Sequence, residues 1–163
     1  MGIWIFDDIA GNDSTFMSPH TYETIFCPCL ARMVKAFKSA GANKVILHSD
    51  GNIESVLDLL VEAGIDGINP VEPKAGMNPE KLKKKYGQKL AFIGGMCNAQ
   101  ILPGGSREEI AEHIRALVEL GKEGGVILAA HSIGPDIPLE NYEWAMEIYR
   151  KYMTIGYNKY YCS

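Results

Sequence analysis

Five short, apolar, β-rich runs alternate with longer helical patterns along this chain, and that rhythm constrains its fold more than any other feature. The runs are Ile3–Phe6, Lys44–His48, Asp66–Ile68, Leu90–Ile93 and Val126–Ala129. They read as continuous rather than alternating apolar stretches. Parallel strands look this way when helices cover one face and packing fills the other. Helical patterns fill the gaps. Ser18-Pro19 supplies an N-cap and a first helical residue, and Tyr22, Ile25, Phe26, Cys29, Leu30, Met33 and Phe37 then share a face up to Gly41. Pro28 falls inside that pattern and should kink or divide the helix. A second helix carries Ile53, Val56, Leu57, Leu60 and Ala63 up to Gly64, and a shorter basic one covers Pro79 to Tyr86. Ser106 and Glu109 have capping-box spacing ahead of Ile110, Ile114, Leu117 and Val118, with Gly121 as a stop. A last helix starts at Pro138.

A βα unit repeated five times, with no linker or low-complexity tract, predicts one α/β domain spanning residues 1–163. Two architectures use this pattern: a doubly wound open sheet, or a section of a (β/α)8 TIM barrel. A full barrel takes about 250 residues, so the 163 residues present favour the open sheet on length alone. No phosphate-binding glycine loop follows the first strand, and Gly94-Gly95 is only a turn signal. A net charge of -4 gives no electrostatic reason to expect nucleic acid or an anionic membrane as partner. No apolar run approaches the ~20 residues that span a bilayer. The start lacks the basic and apolar regions of a signal peptide, so a cytoplasmic location is expected. In that setting Cys27, Cys29, Cys97 and Cys162 are expected as free thiols, and Cys27-Pro28-Cys29 is a poor zinc-knuckle match.

In both architectures ligands meet the carboxyl ends of the strands. Every one of those ends carries polar or ionisable groups: Asp7 and Asp8 after the first strand, and His48-Ser49-Asp50-Gly51 at the second. Asn69 and Glu72 follow the third, Asn98 the fourth, and His131 and Asp136 the fifth. Any single one of them could be a turn former or a helix cap. Five such ends in succession point to a site. His48 and Asp50 are two residues apart and share a face. With His131 they form a candidate metal set of two imidazoles and a carboxylate, suited to zinc or iron. His20 and His113 are expected to be solvated or packed.

The strand-end segments resemble the uroporphyrinogen decarboxylase superfamily, in order, from about residue 3 to residue 152. Asp8-Ile9-Ala10-Gly11, Ser18-Pro19 and the break at Pro28 resemble its middle strand and following helix. Ile46-Leu47-His48-Ser49-Asp50-Gly51 resembles the next strand end. Ala63-Gly64-Ile65-Asp66-Gly67-Ile68-Asn69-Pro70 and Lys89-Leu90-Ala91-Phe92-Ile93-Gly94-Gly95 resemble the two after it. His131-Ser132-Ile133-Gly134-Pro135-Asp136-Ile137-Pro138 is similar to the last strand end and final helix start. The resemblance implies a partial (β/α)8 barrel comprising about the last five βα units, with the first strands lacking. The aspartate and arginines that decarboxylases set against a tetrapyrrole then have no counterpart here.

Two branches of the superfamily imply different chemistry. Decarboxylases work without a cofactor and place a histidine where this chain has His131. They carry a serine at the position of Asp8 and a Gly-Leu-Asp-Trp-like segment at Gly67-Ile68-Asn69-Pro70, and both departures count against a tetrapyrrole substrate. Cobalamin-dependent methyltransferases bind zinc through a His-x-Cys pair and a late cysteine. His48 matches, Asp50 replaces the first cysteine and His131 the second, so harder ligands replace thiolates. The methyltransferase branch is favoured for the parent enzyme. It implies zinc and a corrinoid carried by a partner protein, with His131, Asp50 and Asp8 catalytic and Asp7, Asn69, Glu72, Asn98 and Asp136 binding substrate. The alternatives are tetrapyrrole decarboxylation in porphyrin biosynthesis and a truncated, non-catalytic fragment. Five strands leave two open edges, so another copy or another chain is expected to supply the missing barrel strands.

Overall fold

The computed structural model describes residues 1–160, with side-chain surroundings for residues 1–152. Five strands form one parallel sheet: β1 (Gly2–Phe6), β2 (Lys44–His48), β3 (Gly67–Val71), β4 (Ala91–Met96) and β5 (Val126–Ala130). Their spatial order is their sequence order. A doubly wound sheet reverses direction at a switch point, where its ligand crevice opens. A sheet that never reverses is an arc of a barrel, so topology decides against the open sheet that length favoured.

Local chemistry explains most element boundaries. The Ser18 side chain accepts the Thr21 N–H and starts α1 (Pro19–Thr21). A π-helical turn, Tyr22–Phe26, leads directly into α2 (Cys27–Ser39), with Pro28 in its first turn. The helix is thus divided just ahead of the proline, whose missing N–H falls where an α-helix needs none. The second expected helix is shorter than its apolar pattern: a 3₁₀ turn, Glu54–Val56, precedes α3 (Leu57–Glu62). Asn78 caps α4 (Pro79–Tyr86). Ser106 and Glu109 close the expected capping box at the start of α6 (Arg107–Leu120). Such a cap contributes about 1 kcal/mol. The last helix, α7, runs Leu139–Tyr160. The single turn α5 (Ile101–Gly104) and a 3₁₀ turn at Pro73–Ala75 are too short to show a period in sequence.

Strand β3 runs three residues beyond its apolar run, through Asn69, Pro70 and Val71, and its register against β4 shifts between Ile68 and Val71. A proline cannot donate to the ladder, so a central strand accommodates one only at such an irregularity.

The core lies between the sheet and the helices. Val45 and Leu47 of β2, Ile68 of β3 and Phe92 of β4 are buried against Val34, Leu57, Leu60 and Leu82. A second cluster joins Leu102, Ile110 and Ile114 to Ile137 and Ala145. The opposite face of the sheet is not packed as the continuous apolar runs suggest. Trp4, Phe6 and Ile127 on the edge strands are 44%, 71% and 55% exposed. Strand alternation and register place them on the face opposite Leu47, Ile68 and Phe92. No helix among those residues is long and apolar enough to cross a membrane. Cys27, Cys29 and Cys97 are free thiols, and Cys162 lies outside the described residues.

Candidate metal centre at the strand ends

Parallel register places the carboxyl ends of β1, β2 and β3 side by side: Phe6 pairs with His48, and His48 with Asn69. The imidazole of His48 therefore emerges between the Phe6 ring, 4.8 Å away between centroids, and the Asn69 amide. The His48 Nδ1 lies 2.7 Å from Asn69 Oδ1. Its Nε2 faces the opposite way, 3.5 Å from Asp50 Oδ1 and 4.0 Å from Asp8 Oδ1. Asp8, His48 and Asp50 each offer a ligand atom within 4.8 Å of the others. His131 arrives from the end of β5, with Nδ1 3.3 Å from Asp50 Oδ1 and its ring 6.1 Å from that of His48.

The backbone around these groups is held by buried polar contacts. The Ser49 hydroxyl, fully buried, accepts the Ile9 N–H and donates to the Asp50 carbonyl. The buried Tyr22 hydroxyl donates to the Ile9 carbonyl. Both polar groups of Ile9 are thereby engaged, which fixes Asp8 beside it, and the Asp8 carboxylate accepts the Asp50 N–H. Gly51 allows the β2 loop to approach the β1 loop. At its φ of +83° a Cβ would lie 2.3 Å from the Gly11 carbonyl oxygen. Glu72 accepts the Gly51 N–H from the other side.

Asp50 is the electrostatic centre of this cluster. Its Oδ1 is buried and has no hydrogen-bond partner. Burial raises its carboxyl above the ordinary carboxylate value, the neighbouring Asp8 and Glu72 push it the same way, and His131 and His48 oppose them. An acceptor oxygen shut away from water beside two imidazoles and a second carboxylate is costly unless a cation or proton meets it. The donor set, two nitrogens and two carboxylates, fits a divalent ion of the zinc class.

The remaining expected site residues divide. Asp7 is exposed at the rim. Asn69 is turned toward His48, and Glu72 toward the Gly51 backbone. The Asn98 amide donates to the Ser132 carbonyl and hydroxyl, tying the end of β4 to the end of β5. Asp136 is exposed in the loop between β5 and α7. Of the set His48, Asp50 and His131, the structure draws Asp8 into the compact trio and leaves His131 in reach of Asp50. His113 is half-buried and accepts the Cys97 N–H beside the Gly95 carbonyl, and burial lowers its pKa. His20 is exposed beside Glu23. Sequence reading passed over Ser49 and Tyr22, because a serine between two candidate ligands and a tyrosine on an apolar helix face show no local sign of their partner.

Comparison with known proteins agrees with this architecture. No curated protein sequence matches the chain. Among solved structures it is similar to a methyltransferase from Methanosarcina mazei, with a TM-score of 0.67 and 23% identity. That match covers 93% of this chain and 42% of the other, so the chain spans less than half the length of its structural relative. At this identity the likeness carries the fold, part of a (β/α)8 barrel. The family model for uroporphyrinogen decarboxylase (URO-D) matches residues 2–152. Its match across nearly the whole parallel βα arc places the chain in the uroporphyrinogen decarboxylase family.

Proposed function

We propose that this chain carries the metal-holding strand ends of a corrinoid-linked methyltransferase. The observation that supports this most is the buried Asp50 Oδ1, without a hydrogen-bond donor and facing His48 Nε2 and His131 Nδ1. Asp8 would complete the set. A zinc ion bound there would supply Lewis acidity toward a substrate oxygen or a bound water. The chain's own groups hold and orient. His48 and Asp50 offer ligands from one strand end, His131 from another, and Ser49 and Tyr22 keep Asp8 in reach. The corrinoid would be presented by a partner protein.

The same rim weighs against decarboxylation of a tetrapyrrole. Asp7, Asp8, Asp50 and Glu72 crowd it with negative charge, and none of the polar residues named at the five carboxyl strand ends is a lysine or arginine. A polycarboxylate substrate would meet repulsion there. Elemental analysis of the purified chain tests the reading. Stoichiometric zinc is expected in the wild type and its loss in His48→Ala. An absence of zinc after supplementation would return the function to the cofactor-free decarboxylase branch.

The open sheet face belongs to the same reading. Trp4, Phe6 and Ile127 present apolar surface beside the site, at both edges of the sheet. Another copy or another chain bearing strands would cover it and enclose the metal centre.

A further inference from the structure

The two ring nitrogens of His48 are distinguished by a chain of contacts that begins at the Ile93 carbonyl of β4. Strands β3 and β4 pair in parallel as Gly67 with Ala91 and Ile68 with Phe92. The Ala91 N–H donates to the Asp66 carbonyl, which fixes which β4 residues point toward β3. Pro70 has no N–H to give, and the register shifts past it so that Val71 pairs with Gly94, beside the Ile93 carbonyl. The Asn69 side chain also reaches this carbonyl, its Nδ2 lying 3.3 Å from Ile93 O. This assigns the amide orientation: with Nδ2 turned to a carbonyl, Oδ1 is the atom turned to His48 Nδ1, 2.7 Å away. An amide oxygen only accepts, so the neutral imidazole must carry its proton on Nδ1. The Nε2 lone pair is then directed at the cleft of Asp8 and Asp50.

We propose that Asn69 is a positioning residue that locks His48 in its Nδ1–H tautomer and so presents Nε2 as a ligand nitrogen, rather than a residue that binds substrate. Outer contacts of this kind hold the tautomer and ring plane of metal-binding histidines. The register supports the assignment, because Asn69 is the direct β3 partner of His48 and its backbone carbonyl also accepts the Ser49 N–H. Backbone and side chain of one residue thus fix the height and rotation of the His48 ring.

Long-range ¹H–¹⁵N correlation spectra of the His48 ring in metal-free protein, at a pH where the imidazole is neutral, read the tautomer directly. The wild type is expected to show protonated Nδ1 and unprotonated Nε2. Asn69→Ala is expected to lose this preference. Asn69→Asp keeps an acceptor at the same place and is expected to retain it. A wild-type spectrum dominated by Nε2–H would overturn the proposal even if no variant folds, and so would an unchanged tautomer in a folded Asn69→Ala protein. A second arm rests on the metal reading above: zinc affinity by competition titration should fall about 10- to 100-fold in Asn69→Ala and largely recover in Asn69→Asp. Wild-type protein that binds no zinc yet shows the Nδ1–H tautomer would sink the metal reading and uphold the role of Asn69.

Discussion

Ser49 illustrates how much of this site depends on residues that touch no ligand. Its hydroxyl is the acceptor for the buried Ile9 N–H, and Asp8 precedes Ile9 in the chain. Ser49→Ala would leave that N–H without a partner, at a cost of about 1–3 kcal/mol. Urea denaturation should show the loss. The same variant should also weaken zinc binding, because Asp8 is freed to move. A variant that lost zinc affinity at unchanged stability would place Ser49 at the metal rather than behind it. Sequence proximity had marked His48 and Asp50 as a pair, but not the serine between them, whose side chain points to the other face of the strand.

At the scale of elements, strand-end chemistry also works at the opposite rim. Asp66 leads into β3 and accepts the Val45 N–H, while Lys38 of α2 lies 2.9 Å and Lys44 of β2 3.4 Å from its carboxylate. Burial alone would raise its pKa, but the hydrogen bonds from Lys38, Val45 and Lys44 and the charge of Lys38 outweigh it and hold the value low. A carboxyl depressed on folding stabilises above its unfolded value, near 3.8, and that contribution disappears as pH falls through the lower folded value. Asp66→Asn should therefore flatten the dependence of stability on pH below 3.8. Because both lysines are substantially exposed, the loss at neutral pH is expected to be only about 1 kcal/mol. Thermal unfolding of wild type and variant across the acid range checks both statements. The βα alternation, the caps at Ser18 and Ser106 and the break at Pro28 were all legible beforehand, because each depends on neighbours within a turn. The extension of β3 through Pro70 was not, since only pairing with β2 and β4 makes that segment a strand.

At the scale of the whole molecule, β1 and β5 form the two edges of the five-stranded arc among the described residues, and Trp4, Phe6 and Ile127 on one face are exposed. Sedimentation velocity should show concentration-dependent association, reduced by Phe6→Ser and Ile127→Ser on the exposed face. A stable, well-folded monomer at all concentrations would count against completion by another copy, and persistent monomer on adding strand-bearing candidates would count against another chain. Residue order alone determined an α/β domain of parallel strands and the rim on which chemistry would gather, because hydrophobic period and strand-end polarity are properties of short segments. Strand order decided between open sheet and barrel arc. The tertiary structure alone decided which rim residues meet. Asp8 and Asp50 stand 42 residues apart, and His48 and Asn69 stand 21 apart. Their contact follows from strand register, the Gly51 approach and buried hydrogen bonds, and no local pattern specifies these. That is why His48 and Asp50 could be named from the sequence, while the place of Asp8 beside them and the turn of Asn69 toward His48 emerged only once the strands were paired.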